Sequence, residues 1–85
     1  MGIDSLRNEI DRIDGQLIKI LRRRFNTAAK VRKWKRIKNL PLEDLEREKE
    51  IFNYIAVEAK QLGLGTKFIT KLFKLIIEES KQQKI

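Results

Sequence analysis

The sequence predicts an all-α chain of three helices, the first long enough to call for an intertwined antiparallel homodimer. Three observations carry this. Apolar residues recur at helical spacing almost throughout the 85 residues, and no alternating strand pattern, internal repeat or low-complexity run interrupts them. The strong breaks are few, at "NLP" (39–41) and at Gly63. The length allows one small domain, spanning residues 1–85, with a thin core.

The first helix is expected to start near Asp4 or Ser5, either of which suits an N-cap, and to run to Lys38. Its stripe is Leu6, Ile10, Ile13, Leu17, Ile20, Leu21, Ala28 and Val31. Gly15 falls on the opposite face, at a cost of about 1 kcal/mol in helix propensity. The second helix follows Pro41, from about Glu43 to Leu62, and Gly63 supplies its stop. Thr66 is the expected cap of the third, which runs from about Lys67 nearly to the end. At 1.5 Å per residue the first helix is about 50 Å long. A compact domain of this size is only about 30 Å across. The helix therefore overhangs its own domain, and no Pro is present to fold it back. A second copy lying antiparallel would cover the exposed stripe.

Composition narrows the chemistry. The chain has 20 Lys or Arg against 12 Asp or Glu, a net charge of +8, so anions are the natural partners. With 41% hydrophobic residues it is too apolar for a disordered basic tail. There is no His and no Cys, which removes disulfides, Ser–His catalysis and a thiolate or imidazole zinc site. Any chemistry must come from carboxylates, cations, hydroxyls and amides. No apolar run suggests a membrane span or a signal peptide, so the cytoplasm is the expected location.

The stretch 22–38, "RRRFNTAAKVRKWKRIK", is strongly basic and contains no acid. On a wheel of about 100° per residue its charges divide into two groups. Arg22, Lys30, Lys33 and Arg36 point away from the stripe, as an ordinary solvated face does. Arg24 lies on the stripe, and Lys35 returns to within about 20° of it. A cation there is costly unless it is paired or holds a ligand. The second helix repeats the pattern. Glu48 falls inside the stripe Leu45, Phe52, Ile55, Ala59 and Leu62, with Asp44 on the same side and Arg47 nearer the edge. In the third, Ile69, Leu72, Phe73, Ile76 and Ile77 continue into Ser80, Gln83 and Lys84. An internal Glu48–Arg24 or Glu48–Lys35 ion pair is one explanation; a polar pocket for a small anion accounts for more of these residues. Arg7 is about 26 Å from Arg24 along one helix, so one chain does not easily bring both to one small ligand. By itself Arg7 reads as an exposed residue, and in an antiparallel dimer the partner's Arg7 could approach Arg24.

The segments "LRNEIDRID" (6–14), "RRRFNTAAKVRKWK" (22–35), "PLEDLERE" (41–48) and "ITKLFKLIIEES" (69–80) resemble the all-helical chorismate mutases, over essentially the whole chain. The resemblance implies an intertwined homodimer with two identical sites. Each site would rearrange chorismate to prephenate with no cofactor, metal, membrane or specific nucleic acid involved. It matches Arg7 to the arginine supplied across the dimer and Arg24 to the in-chain arginine; the two clamp the substrate carboxylates. Lys35 matches the lysine on a carboxylate and the ether oxygen. Asp44 and Glu48 match the acidic pair near the ring hydroxyl, Arg47 a cationic wall, and Ser80 a hydroxyl near a carboxylate. One position departs: where many members place a glutamine on the ether oxygen this sequence has Lys84, with Gln83 beside it as the other candidate. Isochorismate pyruvate-lyase, on the same fold, is the alternative enzyme. A basic helical nucleic-acid module is the alternative outside enzymology, but it leaves the core positions of Arg24, Lys35 and Glu48 unexplained.

Overall fold

A computed structural model describes residues 2–83. It contains α1 (Ile3–Ile37), α2 (Leu45–Gln61) and α3 (Thr66–Gln82), and no strand among the described residues. The extents are 56 × 28 × 15 Å and the radius of gyration is 16.1 Å, against about 12 Å for a compact chain of this length. The excess comes from α1. Its 35 residues form one unbroken helix of about 52 Å.

The C-terminal ends of α1 and α2 are built alike. After α1, Asn39 takes a left-handed conformation (φ 55°), its N–H donates to the Arg36 carbonyl, and the Leu40 N–H donates to the Lys35 carbonyl at 2.8 Å. After α2, Gly63 (φ 71°) and Leu64 make the matching pair of bonds to Lys60 and Ala59. Both are Schellman stops, which satisfy carbonyls the helix leaves free. The first turns the chain back at Pro41, so that Leu42 and Asp44 return beside Lys35.

The N-terminal ends differ from expectation. Gly2, not Asp4 or Ser5, caps α1, and Asp4 instead lies in the first turn, where its charge faces the positive end of the helix dipole. α2 starts at Leu45, two residues after the expected Glu43, because the Asp44 carboxylate accepts the Arg47 N–H at 3.0 Å. Thr66 is the first residue of α3 rather than its cap; Gly65 holds that position, with no side-chain bond. Glycine ranks close enough to the polar caps that a helix starts from it readily.

α2 packs along α3, and α3 in turn touches the C-terminal half of α1. The core is small: Ile55, Ala59 and Ile77 are buried, and the buried polar residue beside them is Ser80. α1 contains no buried residue. Leu6, Ile10, Ile13, Leu17 and Ile20 stand 47–56% exposed along its N-terminal half, a longer apolar strip than a monomeric surface ordinarily shows. Among the described residues no helix is long and apolar enough to cross a membrane.

Two substitutions test the helix ends and middle. A Cβ at Gly15 meets nothing within 4 Å, so Gly15→Ala is expected to raise stability by about 1 kcal/mol. Asn39→Ala forces a left-handed alanine and is expected to lower stability by about 1 kcal/mol, whereas Asn39→Gly does not. Urea unfolding at fixed protein concentration measures both; a neutral Asn39→Ala would contradict the Schellman stop.

Candidate active site

A cavity of about 330 Å³ lies where four segments meet: the C-terminal half of α1, the α1–α2 loop, the first turns of α2 and the last turns of α3. Ala28, Val31, Leu42, Ile51 and Ile77 form its apolar lining. Into it come Arg24 and Lys35 from α1, Asp44, Arg47 and Glu48 from the start of α2, and Ser80 from α3. Arg24, Lys35, Glu48 and Ser80 are residues whose helical phase set them on an apolar stripe, while Asp44 lay on the same side and Arg47 nearer the edge. The structure gathers them at one point.

Each element has a local reason to deliver its side chain. Arg24 and Lys35 are eleven residues apart, three turns, and so share a face. The Schellman stop brings the loop under Lys35, whose Nζ donates to the Leu42 carbonyl at 3.5 Å and lies 3.9 Å from the Asp44 carboxylate. Asp44 is held in turn by its capping bond, and Glu48 follows one turn later.

The electrostatics separate the two arginines from the two acids. Glu48 pairs with Lys81 at 3.5 Å, rather than with Arg24 or Lys35 as an internal bridge from the sequence would have it. Lys35 stands by Asp44. Both carboxylates in the pocket thus have an ammonium neighbour. Arg47 reaches outward to Glu50 at 3.7 Å in an exposed pair, which contributes little. Arg24 has no carboxylate partner among the described residues. Its guanidinium lies 5.8 Å from the centroid of the Phe73 ring, a favourable cation–π position. Burial holds Arg24 below the usual arginine pKa, and the positive charge of Arg47 adds to the effect. Four cations and two carboxylates line the cavity, leaving two positive charges in excess. That is the complement of a dianion.

Ser80 is buried and its hydroxyl donates to the Ile77 carbonyl at 2.6 Å, so it must rotate to serve a ligand. Two predicted residues are not brought to the cavity within this chain. Arg7 is exposed near the start of α1. Gln83 lies over a different surface: its Oε1 accepts Arg22 at 2.8 Å and its Nε2 donates to Glu79 at 2.8 Å. Lys84 lies outside the described residues.

Sequence reasoning missed Lys81, which follows Ile77 by four residues and so shares its face. It also missed Arg32, which donates to the Ser80 carbonyl at 2.9 Å. A second, larger groove of about 1400 Å³ carries Lys30, Arg32, Lys33, Arg36 and Lys81 and no carboxylate. Lys30, Lys33 and Arg36 are exposed there, as the wheel predicts. The smaller cavity is the better site, because charged groups enter it from three helices over an apolar floor. Among the described residues no group of acids is placed to hold a metal ion.

Comparison with known proteins agrees with this geometry. The family model described as chorismate mutase type II matches residues 6–85. The chain is 39% identical over 74 residues to the bifunctional chorismate mutase/prephenate dehydratase of Buchnera aphidicola subsp. Acyrthosiphon pisum, covering 87% of this chain and 19% of that protein. It is 34% identical over 76 residues to the bifunctional enzyme of the same description from Escherichia coli K12, covering 89% and 20%. With the chorismate mutase of Methanocaldococcus jannaschii the identity is 32% over 77 residues, covering 91% and 78%. The chain thus spans about a fifth of the length of these bifunctional relatives.

The charge arrangement makes a binding prediction independent of turnover. Arg24→Met is expected to weaken binding of a small cyclic dicarboxylate at least tenfold, since a charge-assisted contact is worth about 1.5–3 kcal/mol. Arg36→Met, one residue from Lys35 but on the solvated face, is expected to stay within about twofold. Titration calorimetry at low ionic strength measures both. Equal losses would refute the separation of the two charge groups.

Proposed function

The chain belongs to the chorismate mutase type II family, and from that membership we propose that it rearranges chorismate to prephenate, a step of aromatic amino acid biosynthesis. The observation that carries the proposal is Arg24: a half-buried cation without a carboxylate partner among the described residues, in a cavity with two positive charges in excess. Chorismate is a small dianion.

The reaction is a unimolecular [3,3] rearrangement. One C–O bond breaks, one C–C bond forms, and no proton or electron enters or leaves. A protein without His or Cys loses nothing by their absence here. Its task is to hold a flexible substrate with the reacting carbons close together. It must also supply fixed positive charge where the ether oxygen becomes negative. In this reading Arg24 and the partner's Arg7 take the carboxylates in bidentate fashion, and Arg47 extends the cationic wall. Lys35 serves a carboxylate and the ether oxygen, while Asp44 and Glu48 orient the ring hydroxyl. The Ser80 hydroxyl turns from the Ile77 carbonyl to a carboxylate. Lys84 is the second donor to the ether oxygen. The bonds of Gln83 to Arg22 and Glu79 support this choice, because they occupy its amide.

The exposed stripe on α1 supports the homodimer that the shared site requires. A second chain lying antiparallel buries it, and the domain over residues 1–85 is then stable only as a pair. A cytoplasmic location accompanies this reading.

Loss of chorismate absorbance on adding purified protein, with prephenate as the product, is the expected result. No turnover, or release of pyruvate from isochorismate instead, would overturn the proposal. Arg7→Ala and Arg24→Ala are each expected to be inactive. Mixed with subunit exchange, they should recover part of the activity, because one site of the hybrid keeps both arginines; absence of recovery despite proven exchange would exclude a shared site. Lys84→Ala is expected to lower kcat by about tenfold or more, with Lys84→Gln retaining much of it. A silent Lys84→Ala beside a crippled Gln83→Ala would transfer the role to Gln83.

A further inference from the structure

α3 delivers Ser80 and Lys81 to the cavity from its last full turn. Helices are weakest there, because the final carbonyls have no partner within the helix and the end frays. Here one of those carbonyls has a partner from another helix. Arg32 Nη1 donates to the Ser80 carbonyl at 2.9 Å, in a partly buried position. The bond is charge-assisted, and it sets a positive charge at the negative end of the α3 dipole. Lys30 and Lys33, close by on α1, are exposed, so Arg32 is set apart from the solvated face. Arg22 makes a second, exposed tie from α1 to the same turn through Gln83.

These ties matter because, apart from the Arg24–Phe73 contact, little else joins the two helices. α1 has no buried residue, and its neighbours of Arg32 toward α3 are the half-buried Ala28 and Ala29. Such small side chains let α3 slide without a large loss of packing. We propose that Arg32 is a positioning residue: by holding the Ser80 carbonyl it sets where Ser80 and Lys81 stand relative to Arg24 and Lys35. Arg32 is one turn before Lys35 and eight residues after Arg24 on the same rod, so the register it imposes refers directly to the two cations. Lys81 carries the effect on to Glu48, its partner at 3.5 Å. The proposal rests on the mutase reading for its catalytic consequence but not for the tie itself.

The test compares Arg32→Met, which keeps the stem and removes the donor, with Arg32→Lys, which keeps a donor and the charge. Arg32→Met is expected to lower kcat at least about tenfold, since small misplacements in such sites are costly, with helicity and assembly unchanged. Amide exchange at Lys81–Gln83 is expected to speed up at least tenfold, and Arg32→Lys to restore most of both. Ile55→Val, a core change away from the cavity, should leave kcat and that local exchange as they are. Wild-type kcat and exchange in Arg32→Met would overturn the proposal. Should Arg32→Met fail to fold, exchange in the wild-type protein decides: protection of the last turn equal to that of mid-α3 supports the tie, and fraying refutes it. Failure of the mutase reading is recognised separately, as absence of chorismate turnover in the wild type.

Discussion

A helix of about 52 Å is not covered by two helices of about 26 Å that pack side by side on each other. Every other feature of this chain follows from that mismatch. α2 and α3 pack on each other and leave α1 as a rod that touches α3 along its C-terminal half. Among the described residues the core shrinks to three buried apolar residues, a small core for a chain of this length. The uncovered half of α1 leaves its apolar stripe exposed, and the proposed homodimer rests on that stripe.

The same mismatch makes the site. Where α1 meets α3 and faces α2 across the cavity, its stripe changes from Leu and Ile to Arg24, Ala28, Val31 and Lys35. Small residues leave room, and cations fill the edge of that room. Half-burying Arg24 with no carboxylate partner among the described residues carries a desolvation cost that its cation–π contact with Phe73 offsets only in part. It becomes reasonable if a ligand completes the pairing. The two carboxylates of the pocket already have ammonium neighbours in Lys35 and Lys81, so they temper the repulsion among cations without quenching the arginines.

Much of the fold was legible because its signals are local. The Asn39–Leu40–Pro41 break and the Gly63 stop are backbone preferences that act within a few residues, and both appear as Schellman ends. Helix starts were less legible. Gly2 and Gly65 serve as caps although polar candidates stood nearby, since the difference between such caps is only a few tenths of a kcal/mol. The phase of Arg24, Lys35 and Glu48 was readable from the 3.6-residue period alone. Their placement around one cavity with Asp44, Arg47 and Ser80 depends on how the three helices pack.

What the sequence by itself determined is therefore what one helix knows of itself: its length, its apolar face, its terminators, and which charges violate the face. Only the tertiary structure decided which charges meet. Glu48 finds Lys81 rather than Arg24, Arg32 finds a carbonyl on α3, and Gln83 turns toward Arg22. Those choices depend on the crossing of one helix over another and on the last turn of α3. Periodicity along a single chain carries no record of either, because a phase angle fixes the direction of a side chain but not what stands opposite it.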